Sequence, residues 1–134
     1  NIDKIEQVRS PYNVNSLTQN IATEILRYPK LIAKYIKEVK CSRDDLYSAL
    51  IAELNDDETQ IYESSANFIY IKTKYSADIY EYLLEKGILI RLFEDGIRIT
   101  AGNIEDNVKL VSEIKRAISL AKEGRRGYQN ERAV

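Results

Sequence analysis

Between Gly87 and Gly102 the chain reads Gly-Ile-Leu-Ile-Arg-Leu-Phe-Glu-Asp-Gly-Ile-Arg-Ile-Thr-Ala-Gly. Two apolar runs, Ile88 to Phe93 and Ile97 to Ala101, flank Asp95-Gly96, a pair that readily takes the positive φ angles of a type I′ turn. The stretch therefore predicts a β-hairpin, with one arginine in each strand. An arginine among apolar neighbours in a strand is partly desolvated and needs an anionic partner, from the protein or from a ligand. If Asp95-Gly96 is the whole loop, Phe93 pairs with Arg98 and Arg91 with Thr100. Arg91 and Arg98 then share one sheet face as diagonal neighbours, about 7 to 8 Å apart at the backbone, close enough to converge on one anion. A loop longer by one residue puts them on opposite faces, because the side-chain period of a strand is two. The competing reading pairs each arginine with one of the chain's acidic residues.

The elements around the hairpin follow from periodicity and punctuation. Asn1 to Arg9 has a loose helical pattern that meets Ser10-Pro11-Tyr12, so residues 1–15 read as a linker. Asn15 or Ser16 can cap a helix over about 16–28, with Leu17, Ile21, Ile25 and Leu26 apolar and Tyr28-Pro29 closing it. Pro29 suits the first turn of the next helix, which continues at helical spacing towards Asn55 through a possible bend at Ser42-Arg43-Asp44-Asp45. Gln60 to Glu63 and Asn67 to Lys74 alternate as strands, placing Phe68 and Tyr70 on one side and Ile69 and Ile71 on the other. Ser76 is read as the cap of a helix to Lys86 with Ile79, Tyr80, Leu83 and Leu84 as its buried stripe and Gly87 as its stop. After the hairpin, Asn103 starts a last helix over Ile104 to Lys122 that Gly124 is expected to end, leaving 125–134 as a polar tail. The expected class is α+β: a small antiparallel or mixed sheet of three to four strands with helices packed mainly on one face.

Composition narrows the chemistry. The 134 residues suit one compact domain, residues 16–124, and the 20 basic and 21 acidic residues are interspersed rather than gathered into a nucleic-acid surface. No apolar run approaches the length of a membrane span. The single cysteine, Cys41, precludes an internal disulfide framework, fits a reducing cytoplasmic setting, and reads as a packed or surface thiol. Histidine is absent, which removes the usual general base, the Ser-His and Cys-His nucleophile systems and most zinc sites; no metal site is expected. Methionine is also absent, which suggests a fragment or a processed product.

Several stretches taken together point to a family. Arg9-Ser10-Pro11-Tyr12-Asn13-Val14-Asn15, Ser65-Ala66-Asn67-Phe68, Gly87-Ile88-Leu89-Ile90-Arg91 and Ile97-Arg98-Ile99-Thr100-Ala101-Gly102, with Glu105 and Asn107 following, resemble the C-terminal part of histidinol-phosphate aminotransferases in order and spacing. The resemblance covers nearly all of residues 1–122. It implies the small domain of a transferase that uses pyridoxal 5′-phosphate to exchange an amino group between L-histidinol phosphate and 2-oxoglutarate, in histidine biosynthesis. By the same resemblance Arg98 anchors the substrate's acidic group, Arg91 contacts phosphate, and Tyr12 and Asn13 lie where the linker meets the active site. Asn67 reads as a hydrogen-bonding strand residue. The Schiff-base lysine, the aspartate facing the pyridinium nitrogen and the phosphate-binding loop belong, in that family, to an N-terminal large domain. No residue here matches them, so catalytic and cofactor-binding residues are expected to be absent from this chain and the cofactor to belong to the full-length enzyme. The implied partners are the large domain, the small-molecule substrates and a second subunit, with neither nucleic acid nor membrane. A non-enzymatic amino-acid-binding regulatory module and a pure interaction domain are the alternatives, and the latter predicts arginines satisfied from within.

Overall fold

The computed structural model describes Lys4, residues 14–54 and residues 56–131, with side chains through residue 124. The linker motif with Tyr12 and Asn13, the rest of the first helical pattern, and Asn55 lie outside the described residues. In order, the elements are α1 (Ser16–Ile25), α2 (Pro29–Glu53), β1 (Thr59–Tyr62), β2 (Phe68–Thr73), α3 (Ser76–Glu85), β3 (Arg91–Phe93), β4 (Gly96–Thr100) and α4 (Ile104–Glu131). The chain divides into two compact units, Asn1–Lys37 and Glu38–Val134, a division that falls within α2.

In the first unit Asn15 caps α1, its side-chain oxygen accepting the Thr18 N–H at 2.8 Å. The Gln19 side chain returns a hydrogen bond to the Val14 carbonyl at 2.8 Å, so two groups at the helix start are satisfied locally. Pro29 opens α2, where its missing N–H would have no helical partner anyway. None of α1's residues is buried, and Leu17, Ile21 and Ile25 are each half exposed or more.

The second unit is built on an antiparallel sheet in the order β1-β2-β4-β3. Strand alternation splits its two faces. Ile69 and Ile71 of β2 and Ile97 and Ile99 of β4 point into one core with Leu46, Leu50 and Leu54, with Tyr75, Ile79 and Leu83, and with Leu110, Val111, Ile114, Ala117 and Ile118 of α4. The helices of this unit thus cover one face, as the α+β reading expects. The other face carries Phe68, Tyr70, Lys72, Arg98, Arg91 and Phe93, all half-buried or exposed.

Several local expectations are corrected. Ser76 lies inside α3 and makes no capping bond; Tyr75 occupies the cap position. On α3 only Ile79 and Leu83 of the expected stripe are buried, Tyr80 is half-buried and Leu84 is exposed, because a spacing of four residues already covers the sheet. Gly87 does end α3: at φ 72° it lets Ile88 N–H reach the Leu83 carbonyl at 2.9 Å and Gly87 N–H the Leu84 carbonyl at 3.0 Å, a Schellman closure. Gly124 does not end α4, which continues to Glu131, since Gly124 lacks the left-handed φ that would turn the chain. The possible bend at Ser42 to Asp45 lies inside an unbroken α2.

Candidate anion-binding site on the open sheet face

The hairpin forms one position away from the expected register. Phe93 pairs with Gly96, Leu92 with Ile97 and Arg91 with Arg98, so the turn residues are Glu94 and Asp95. No described non-glycine residue has positive φ and Gly96 does not either, so the turn is not type I′. The reason lies in β2. A Cβ at position 96 would run into the Ile71 carbonyl oxygen and the Tyr70 hydroxyl, so the glycine is used within the strand, beside β2. The slip changes each pairing sum by two, which preserves the face. Arg91 and Arg98 therefore share the open face, as direct partners rather than diagonal neighbours.

Cross-strand pairing places Tyr62, Tyr70, Arg98 and Arg91 in one row across all four strands. Aromatic rings fill in around the two cations. The Arg98 guanidinium carbon lies 4.6 Å from the centroid of the Phe68 ring, and that of Arg91 lies 5.6 Å from the Phe93 ring. Tyr70 stands edge-on to Phe93 at 5.7 Å and tilted against Tyr62 at 5.9 Å. Because Gly96 has no side chain, Tyr70 reaches over β4 and donates its hydroxyl to Asp95. That hydrogen bond, with burial and the carboxylate's charge behind it, pushes the Tyr70 phenol up to about 12.

Asp95 also pairs with Lys72 at 3.0 Å. The bonds from Tyr70 and Lys72 hold its carboxyl below the usual aspartate range. It is thus committed, and among the described residues no carboxylate pairs with Arg91 or Arg98. Directly opposed like charges destabilise a sheet unless something neutralises them. A face with two guanidinium forks that no described carboxylate neutralises, walled by aromatic rings, is suited to a carboxylate or phosphate ligand.

The end of β4 is tied down from behind. Asn107, 6% exposed, accepts the Gly102 N–H at 2.9 Å and donates to the Ser42 hydroxyl at 2.8 Å. Ser42 in turn donates to the Gly102 carbonyl at 2.5 Å. Residue 42 of α2 is thereby tied to the β4–α4 connection and the start of α4, 60 and 65 residues further along the chain, just beyond Arg98 and Thr100. A separate cleft of about 370 Å³ lies between the Lys86–Ile90 segment and the start of α4, and neither arginine lines it.

Of the site residues expected from sequence, Arg91 and Arg98 are brought together, and Tyr12 and Asn13 lie outside the described residues. Asn67 lies just before β2 rather than in a strand, and it is its backbone carbonyl that accepts a hydrogen bond, from the Ala101 N–H at 3.0 Å. Sequence reasoning passed over Phe68, Phe93 and Tyr70; the available signal was an aromatic residue two positions from an arginine along a strand for Phe93, whereas Tyr70, opposite Arg98, and Phe68, diagonal to it, depend on the strand register. Cys41 is an exposed free thiol. Among the described residues no helix is long and apolar enough to cross a membrane, and no group of three metal-ligating side chains occurs.

A family model described as aminotransferase class I and II matches residues 1–114. The histidinol-phosphate aminotransferase of Ruminiclostridium cellulolyticum is 40% identical over 116 residues, which cover 82% of this chain and 32% of that protein. The histidinol-phosphate aminotransferase from Clostridium acetobutylicum superposes with a TM-score of 0.65 at 20% identity, over 84% of this chain and 36% of that one. L-threonine-O-3-phosphate decarboxylase from Porphyromonas gingivalis does so with a TM-score of 0.60 at 23% identity, over 91% and 38%. The chain spans about a third of the length of the curated relatives it matches. On the match to its family model, this chain belongs to the class I and II aminotransferases.

Proposed function

We propose that residues 16–124 are the C-terminal small domain of a pyridoxal-phosphate-dependent histidinol-phosphate transaminase, with residues 1–15 as the linker to a large domain. The reaction is amino transfer from L-histidinol phosphate to 2-oxoglutarate, giving imidazole acetol phosphate and glutamate. The observation that carries this reading is the Arg91–Arg98 pair, directly opposed on an open face with no carboxylate partner among the described residues. Both amino donors are anionic, one through a phosphate and the other through carboxylates, and one pair of planar forks can serve them in turn. Arg98 anchors the acid group and Arg91 contacts the phosphate. Tyr12 and Asn13 are assigned beside them by resemblance alone.

The cofactor supplies the electron sink for amino transfer when bound. Four of the described lysines are engaged by carboxylates and do not fit the role of holding it. Lys72, Lys74 and Lys122 hydrogen-bond Asp95, Glu58 and Asp56, and these bonds raise each lysine above its usual value, which keeps it protonated and non-nucleophilic. Lys115 is likewise paired with Glu53 at 2.5 Å. The group belongs with the large domain, in an enzyme expected to be a cytoplasmic homodimer.

Steady-state kinetics on the full-length enzyme carrying this chain is the test. Arg98→Ala is expected to lower kcat/KM about 30- to 1000-fold for both amino donors, the cost of a lost charge-assisted bidentate contact. Arg98→Lys recovers part of this, because an ammonium lacks the planar fork. Arg91→Ala costs less and acts more on histidinol phosphate than on glutamate. Near-normal kcat/KM in Arg98→Ala, or carbon dioxide release from a phosphorylated amino acid in place of transamination, would overturn the assignment.

A further inference from the structure

We infer that Phe68 is a positioning residue for Arg98: its ring holds the guanidinium by the π face and leaves the in-plane N–H donors free for the ligand. This rests on the reading of Arg98 as the substrate's anchor. Phe68 pairs with Thr100 and Arg98 with Tyr70, so Phe68 and Arg98 are diagonal neighbours on the same face of β2 and β4. The guanidinium carbon stands 4.6 Å from the ring centroid, well inside the range in which the ring quadrupole attracts a cation.

The alternative way to hold a half-buried arginine is a carboxylate, and it has a drawback here. A carboxylate bonds edge-on to the fork and occupies the same parallel N–H groups that a substrate carboxylate or phosphate would use. A ring takes only the face. It offsets part of the desolvation of the charge without consuming a donor. The described residues fit that division: no carboxylate bonds Arg98, and the nearby acid, Asp95, is engaged by Tyr70 and Lys72. Phe93 repeats the arrangement under Arg91 at 5.6 Å, a looser contact whose effect is correspondingly smaller.

Simple apolar cover by Phe68 would give the same contact, so the test varies the ring's electrostatics at nearly constant shape. In the full-length enzyme, Phe68 is replaced by its mono-, di- and trifluorinated analogues, each fluorine drawing charge from the ring face. KM for 2-oxoglutarate, and the inhibition constant of maleate as an unreactive dicarboxylate, are expected to rise stepwise with fluorine count. The total rise is about 2- to 30-fold, with kcat little changed. Phe68→Leu should match the trifluorinated protein, and Phe68→Tyr, which keeps the ring, should recover most of that loss. The same series at Phe93 should give a shallower slope. A KM independent of fluorine count, alongside a raised KM in Arg98→Ala, would overturn the positioning role and leave the anchor intact. An unchanged KM in Arg98→Ala would instead remove the anchor, and this inference with it.

Discussion

Arg91 and Arg98 stand opposite each other across the β3–β4 ladder, two like charges at one paired position. With no ligand this arrangement is expected to cost stability, a cost that an anion between them would offset. Arg91→Thr, which keeps strand propensity, is therefore expected to stabilise the ligand-free chain by about 0.2 to 1 kcal/mol at low salt. The gain should shrink as ionic strength screens the pair, and added inorganic phosphate should stabilise the parent more than the variant. Urea denaturation at two salt concentrations reads both. A variant less stable than the parent at low salt would mean that Arg91 is already neutralised.

The Asn107 side chain joins α2 to the end of β4, and its removal takes the acceptor from the Gly102 N–H. Asn107→Ala leaves the Gly102 N–H to water and should cost about 0.5 to 1.5 kcal/mol. Ser42→Ala should cost less, because Asn107 keeps its bond to Gly102. The double variant should fall short of the sum of the two, since the residues share one network. Strict additivity in denaturation would show that the Ser42–Asn107 bond contributes little.

Much of this was legible because the signals were local. The Asn15 cap, the Asn103 cap, whose side-chain oxygen accepts the Asp106 N–H at 2.8 Å, the Gly87 stop and the alternation of Phe68 to Ile71 each depend on a few neighbouring residues. The shared face of Arg91 and Arg98 survived a wrong register because a shift of two keeps the parity of a strand. What failed depended on distant partners. Gly96 was assigned to the turn on the strength of Asp95-Gly96, whereas its place is decided by the Ile71 carbonyl, 25 residues earlier in the chain. The Ser42–Asn107 bond spans 65 residues and leaves no trace in either local pattern.

Acid should unfold this chain through a small set of carboxyls. Glu58 is held below its ordinary value of 4.5 by hydrogen bonds from Lys74 and then Tyr75. Asp56, whose partial burial acts the other way, is brought below 3.8 by Lys122 and Thr59. Each is a depressed pKa, so its contribution is fully present above the unfolded value and is lost as pH falls through the folded one. Stability is therefore expected to be flat above about pH 5 and to decline below it. Glu58→Gln should lower the plateau and flatten the acid limb together. An unchanged acid slope in that variant would exclude Glu58 as a contributor.

Gly96 and Gly87 are required for different reasons, and substitution separates them. Position 87 has φ 72° with open space where a Cβ would go, so Gly87→Ala meets only backbone strain, about 1 kcal/mol. At position 96 the added carbon meets backbone, the Ile71 carbonyl, which cannot swing aside as a side chain would. Strand β4 must draw away from β2, weakening the Lys72–Gly96 pairing and moving the Tyr70 hydroxyl from Asp95. Gly96→Ala is thus expected to cost about 1 to 3 kcal/mol or more, and to exceed Gly87→Ala in the same denaturation series. Because Arg98 lies two residues along the same strand, Gly96→Ala should also raise KM for 2-oxoglutarate in the full-length enzyme, whereas Gly87→Ala should act on stability alone. D-alanine at position 87, introduced by chemical ligation, should abolish the penalty there, since it favours positive φ. Equal costs for the two L-alanine variants, or a KM unaffected by Gly96→Ala in a folded enzyme, would show that β4 can shift without disturbing the arginine it carries.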